Sequence, residues 1–106
     1  MDENQTAIPQ SFIALFVPRG RARPSAAQAA IAARYELCED LAQTLTEHAR
    51  TTLFALSITE ALVLERMRQG LLQAGSVVTP EESRWVVTRL AELLDWPMPQ
   101  EAPRGL

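Results

Sequence analysis

The residues with the clearest potential for metal or acid–base chemistry are Cys38 and His48, the only cysteine and the only histidine in the chain. A protein metal site needs several ligands that converge on one ion. On one helix these two residues would lie roughly 15 Å apart along the axis, so they cannot bind one ion together. We therefore predict no metal site. We interpret Cys38 as a small apolar core residue and His48 as a partly buried packing residue.

Motifs for covalent catalysis or nucleotide binding are missing from the sequence. A nucleophile needs a base and an orienting group, but neither a nucleophile elbow nor a cysteine–histidine family pattern is present. The chain has 4 scattered glycines and no lysine, which excludes a P-loop and a Schiff base. We interpret Glu39-Asp40 as a solvated helix face and Glu81-Glu82 as helix-start residues. The prediction is a protein that is not an enzyme and uses no cofactor.

The features most typical of a binding site lie between residues 8 and 24. The segment from Phe12 to Val17 is dense in large apolar side chains, and we expect it to fold back onto its own core. Alternatively, it docks as an amphipathic helix in a groove of another subunit. The arginines of the linker 18–24 could contact phosphates or an acidic protein surface, although we favour a merely solvated linker. The candidate partner-binding residues are Phe12, Ile13, Leu15, Phe16, Arg19, Arg21 and Arg23.

Three helix starts mark the elements that must position these residues. Ser25 with Gln28, and Ser57 with Glu60, have the spacing of capping boxes. The third start is the strongest because Thr79 can cap the helix, a proline follows at its first position, and two glutamates face the positive end of the helix dipole. Apolar residues recur every three or four positions after each start.

The pattern therefore predicts an all-α fold. We expect a small bundle of three main helices at about 26–50, 58–74 and 80–95, plus a short N-terminal helix at about 10–16. Gly75 is the expected stop of the second main helix, and the last two main helices should form an antiparallel hairpin. The predicted organisation is a flexible N-terminus at 1–7, a single helical domain at 8–96, and a disordered tail at 97–106.

Size and charge restrict the functional classes. A chain of 106 residues with a net charge of −3 fits one domain and argues against a dedicated nucleic-acid binder. A helix-turn-helix interpretation of the last two helices would place Glu81 and Glu82 against phosphates, which Arg84 and Arg89 offset only in part. The sequence lacks a signal-peptide pattern and a long apolar run, so we predict a cytoplasmic protein without membrane association.

Several stretches resemble a family of short proteobacterial proteins of unknown function that are often labelled as an ATPase with chaperone activity. The resemblance covers residues 8–96 and is carried by the segment 8–16, the linker after it, and the stretches 33–42 and 82–94. It implies a bacterial protein with nucleotide-hydrolysing or chaperone activity. It supplies no functional residues that can be assigned to positions in this chain.

Three functional hypotheses follow. The leading one is a non-enzymatic protein–protein interaction or adaptor module that forms a homodimer, because a core of this size is only marginally stable alone. The second is a nucleic-acid-associated regulator that uses Arg19, Arg21 and Arg23. The third is a chaperone-like protein without P-loop ATPase activity.

Overall fold

The computed structural model describes residues 7–73 and 76–98, and all regular structure within these ranges is helical. The short helix α1 spans Gln10–Ile13 and continues as a 3-10 turn over Ala14–Phe16. The main helices are α2 at Gln28–Leu56, α3 at Glu60–Leu71 and α4 at Pro80–Leu94. The predicted small all-α bundle is confirmed. The predictions for residues 1–7, Gly75 and 97–106 fall wholly or mostly outside the described residues.

Helices α2 and α4 run parallel to each other. Helix α3, which lies between them in the chain, runs in the opposite direction. Two ion pairs fix this register, because Arg34 of α2 pairs with Glu82 of α4, and Glu39 pairs with Arg89. The buried side chains form two clusters along the bundle. The first cluster comprises Phe12, Ile31, Cys38, Ala42, Val78, Trp85 and Val86. The second comprises Ala49, Val63, Leu64, Met67, Val87, Leu90 and Ala91.

Helix α2 begins later and ends later than predicted. The predicted capping box at Ser25 is wrong, because the Ser25 amide and hydroxyl both donate to the Phe16 carbonyl, at 2.7 and 3.1 Å, and close the linker. The helix instead starts after Ala27, which offers no side-chain cap. It continues past residue 50 to Leu56, because Leu53 packs against the second cluster and this contact stabilises the additional turns.

The start of α3 also differs from the prediction. Ser57 does not cap α3 but ends α2 in the left-handed conformation, with φ of 53°. Thr59 is the cap, and its hydroxyl accepts from the Leu62 amide at 3.1 Å. The helix therefore occupies Glu60–Leu71, which is shorter than the predicted 58–74.

Helix α4 follows its predicted start signal. The Thr79 hydroxyl accepts from the Glu82 amide, and the Glu82 carboxylate accepts from the Thr79 amide, which completes a capping box. At the other end, Asp95 adopts φ of 59°, and the Trp96 amide donates to the Ala91 carbonyl at 2.9 Å. This is a Schellman closure made without glycine.

The residues considered for chemistry fall into different environments. Cys38 is buried as predicted, and burial raises the pKa of its thiol to about 12, so the thiol stays protonated. The prediction for His48 is wrong, because its side chain lies on the exposed side of α2. The solvated-face interpretation also fails for Glu39, which is half-buried against Arg89. In the described part of the chain, no helix is long and apolar enough to span a membrane.

Candidate functional site

The N-terminal arm, residues 8–17, packs onto its own chain as expected. Phe12 is fully buried, and its ring centroid lies 5.6 Å from that of Tyr35 and 5.1 Å from that of Trp85. Both contacts have the edge-to-face geometry that aromatic pairs favour. The arm therefore anchors the first cluster, and Phe12 presents no surface to a partner in this conformation.

The other predicted apolar residues of the arm lie closer to the surface. Ile13, Leu15 and Phe16 are half-buried against the first cluster. A hydrogen bond also holds the arm in place, since the Trp85 indole N–H donates to the Ser11 hydroxyl at 2.9 Å.

The three predicted arginines, Arg19, Arg21 and Arg23, are exposed on the linker. A turn organises the linker, with the Arg21 amide donating to the Pro18 carbonyl and Gly20 at φ of 79°. Within residues 7–73 and 76–98, no carboxylate lies within ion-pair distance of these guanidinium groups. The predicted site residues are thus split between a buried anchor, a half-buried apolar strip and an exposed basic linker.

A groove of about 490 Å³ lies between the arm, α2 and α4. We call it the arm groove. Its volume is within the range of small-molecule and peptide-side-chain sites, and aromatic and aliphatic groups share its wall with a few polar groups. Its lining residues are Pro9, Ser11, Leu15, Tyr35, Arg84, Trp85, Thr88, Arg89 and Glu92.

Arg89 is the organising cation of the arm groove. Its Nε and Nη2 atoms donate to the Glu39 carboxylate at 2.9–3.2 Å, and its Nη1 atom donates to Glu92 at 3.1 Å. The hydrogen bond from Arg89 lowers the pKa of Glu39 more than partial burial raises it. Arg89 is therefore held in one orientation by two carboxylates.

Two further polar groups face the groove without such partners. The structure gives no hydrogen bond to the Tyr35 hydroxyl and no ion pair to Arg84 within the described residues. Burial raises the pKa of Tyr35, with a smaller contribution from Glu39, so the hydroxyl remains a proton donor. Counting only the described residues, the groove thus offers a guanidinium without an ion pair, a hydroxyl without a hydrogen bond and an apolar wall.

The ion pair between Arg34 and Glu82 has a structural role. Arg34 donates to Glu82 through Nε at 2.9 Å and to the Val77 carbonyl through Nη2 at 2.8 Å. Burial tends to raise the pKa of Glu82, but the hydrogen bonds from Arg34 and Thr79 outweigh burial and lower it. The carboxylate therefore ties the α4 start and the preceding loop to α2.

A second apolar feature lies at the end of the bundle where α2 and α4 end and α3 begins. Large apolar side chains are exposed where α2 ends, where α3 begins and just after α4 ends. We call this set the end surface, and it consists of Phe54, Leu56, Leu62 and Met98, with exposed fractions of 86, 45, 52 and 40%. The sequence carries a signal for this exposure, since Phe54 lies off the apolar stripe of α2, but the predicted helix ends at about residue 50, before Phe54.

A second depression, of about 650 Å³, opens beneath the linker and is lined mainly by apolar groups such as Ile8, Ile13 and Ile31. Its lining contains no charged side chain among the described residues, so it has no group that would bind an ionic ligand. Among the residues described, no cluster of three histidine, cysteine or acidic side chains could hold a metal ion.

Comparison with known proteins finds no matching protein family, no similar curated protein and no similar solved structure. The resemblance drawn from the sequence therefore stays a prediction.

Proposed function

We propose that this chain is a non-enzymatic protein-interaction module that pairs with a second copy of itself through the end surface. Phe54 carries the proposal, because this large aromatic side chain is 86% exposed on a well-formed helix. Each Å² of apolar surface removed from water is worth about 25 cal/mol. Three further exposed apolar side chains at the same end make association there favourable.

The charges around the end surface support a second copy as the partner. Arg50 precedes Phe54 by one helical turn, and Arg66 follows Leu62 by one turn, so each cation shares a helix face with an apolar residue. Glu60 lies at the start of α3. A two-fold rotation can place Glu60 of one copy against an arginine of the other, so the charges of this surface are compatible with pairing to a second copy.

Sedimentation velocity over a range from low to high micromolar concentration tests this proposal. The wild-type chain should change from monomer to dimer, and Phe54→Ser should remain monomeric at concentrations where the wild type is dimeric. Val77→Ser is the matched control, because Val77 is 59% exposed at the opposite end of the bundle. A wild-type monomer at high micromolar concentration, or an equal effect of both variants, would contradict the proposal.

A second candidate function is nucleic-acid association through the linker. The support is the exposure of Arg19, Arg21 and Arg23 and their lack of an acidic partner in the described chain. Arg89 is unsuited to this role because two carboxylates already hold it. Replacing the three linker arginines with alanine should weaken binding and reduce its salt dependence. No binding of the wild type to DNA or RNA at low salt would eliminate this candidate.

The family resemblance adds a chaperone-like role as a third proposal, supported by the exposed apolar groups of the end surface. Suppression of client aggregation without ATP, lost in Phe54→Ser, would favour it over simple dimerisation. We retain a bacterial, cytoplasmic setting as part of the proposed function.

A further inference from the structure

The arm groove has a composition that neither the bundle nor the proposed pairing explains. Trp85 and Tyr35 already pack against Phe12, and Arg89 already bonds to Glu39 and Glu92. Arg84 has no such task, since its side chain is exposed and no ion pair reaches it within the described residues. A cation beside an aromatic wall, on the rim of a groove, is suited to an anionic ligand with an apolar body.

The charge balance of the groove favours an anion with a single negative charge over a dianion. Glu92 lines the groove and Glu39 lies behind Arg89, so these two carboxylates balance the two guanidinium groups of Arg89 and Arg84. Both carboxylates already bond to Arg89, which leaves Arg84 without an ion pair among the described residues. A phosphate dianion near the Glu92 carboxylate would be repelled about twice as strongly as a carboxylate at the same distance.

The remaining donors fit a planar carboxylate. A guanidinium has five N–H groups, and Arg89 uses three of its five on Glu39 and Glu92. The Arg84 guanidinium, which has no ion pair in the described part of the chain, can donate two parallel hydrogen bonds to one carboxylate. The Tyr35 hydroxyl is a further donor, and Leu15, Pro9 and the Trp85 ring provide apolar contact.

We propose that the arm groove binds an apolar monocarboxylate, with Arg84 pairing with the carboxylate and Trp85 and Leu15 contacting the apolar body. The ligand is either a free aromatic or aliphatic acid or the C-terminal carboxylate of a peptide that ends in an apolar residue. These two sources share one chemistry. The groove and the end surface share no residue, so the proposal is independent of the proposed pairing.

Titration with 3-phenylpropionate, followed by ¹⁵N–¹H NMR of the intact chain, tests the proposal. The Trp85 indole N–H, which donates to Ser11 beside the groove, should shift in a saturable way. The Trp96 indole lies against the second cluster and is the internal control, which should not move. The uncharged analogue 3-phenylpropanamide should bind much more weakly.

Arg84→Gln should raise the dissociation constant for 3-phenylpropionate by about tenfold, because it removes a charge-assisted hydrogen bond. The exposed position of Arg84 means that this variant should fold normally. Arg68→Gln is the matched control and should bind as the wild type does, because Arg68 pairs with Glu65 on α3 and does not line the groove. The proposal is overturned if the Trp85 indole does not shift, if the amide binds as well as the acid, or if Arg84→Gln has no effect.

The two ligand sources are separated with acetyl-Gly-Phe, compared as the free acid and as the C-terminal amide. Tighter binding of this free acid than of 3-phenylpropionate supports a peptide C-terminus as the natural ligand. Tighter binding of 3-phenylpropionate supports a free small acid. Equal binding of the acetyl-Gly-Phe acid and amide contradicts recognition of a peptide carboxylate.

Discussion

At the scale of single residues, Phe12 determines how the N-terminal arm is used. Its ring lies within 5.1–5.6 Å of three other aromatic rings, those of Phe16, Tyr35 and Trp85. Apolar density in the sequence predicted that the arm would bury itself, but the spacing could not identify which residue becomes fully buried. Two of these partners, Tyr35 and Trp85, come from α2 and α4, so the burial of Phe12 depends on tertiary packing.

Phe12→Ala should lower the free energy of unfolding by about 3–5 kcal/mol, because it removes a buried aromatic side chain and leaves a cavity. Urea denaturation at low micromolar concentration measures the loss. Phe54→Ala is the matched control and should change stability by less than about 0.5 kcal/mol under these conditions, since Phe54 is exposed. A loss below about 1 kcal/mol for Phe12→Ala would show that the arm is not part of this chain's core.

Glu82 makes stability depend on pH. Its side chain is almost fully buried, and its folded-state pKa lies below the ordinary value of 4.5 because the hydrogen bonds from Arg34 and Thr79 outweigh burial. A lowered folded-state pKa means that the unfolded chain takes up the proton first. The stabilisation is therefore complete above the ordinary pKa and is lost as pH falls through the folded-state pKa.

Urea denaturation between pH 7 and pH 3 should show stability falling below about pH 4.5, and Glu82→Gln should reduce that slope by up to about 1.4 kcal/mol per pH unit. Glu81→Gln is the matched control, because it removes an exposed carboxylate from the same helical turn. Its slope should stay closer to that of the wild type, since water screens exposed charges. An unchanged slope in Glu82→Gln would contradict this account of the ion pair.

At the scale of elements, helix type was predictable and helix ends were only partly so. Thr79 gave a correct start because local groups alone complete its capping box. Ser25 and Ser57 gave wrong starts because neither side chain caps a helix. Ser25 closes the linker by bonding to the Phe16 carbonyl, and Ser57 ends α2 in a left-handed conformation. Local spacing cannot reveal such competing bonds.

The start of α2 can therefore be improved. Ala27 has the extended conformation of a cap, with φ of −67° and ψ of 152°, but no side-chain oxygen to bond the first amides. Ala27→Asp should raise the free energy of unfolding by about 0.5–1 kcal/mol, measured by urea denaturation. As the reciprocal control, Thr79→Ala should lower it by about 1 kcal/mol. A neutral or destabilising Ala27→Asp would mean that another group already satisfies the α2 amides.

The arm groove was not predictable from the sequence, although the arm itself was. The groove depends on contacts between α2 and α4, and Glu39 and Arg89 are 50 residues apart. The sequence grouped Glu39 with Asp40 as a solvated pair and grouped Arg89 with Arg84 as basic residues. The structure gives the members of each pair different environments, because Arg89 pairs with two carboxylates while Arg84 pairs with none among residues 7–73 and 76–98.

At the scale of the whole molecule, the two candidate surfaces are made of different residues of one bundle. Tyr35 marks the groove on α2, and Phe54 marks the end surface on the same helix, which places them roughly 29 Å apart along its axis. The proposed carboxylate ligand and the proposed second copy therefore bind to different residues. The arm packs in cis in this arrangement, and the proposed contact between copies moves to the end surface.

Isotope-filtered NMR on a mixture of labelled and unlabelled chains tests the central claim most directly, because it detects contacts between copies only. The account predicts intermolecular contacts from the Phe54 ring to methyl groups of Leu56, Leu62 or Met98 at high micromolar concentration. Contacts that involve Val77 instead, or no intermolecular contacts at any concentration, would contradict it.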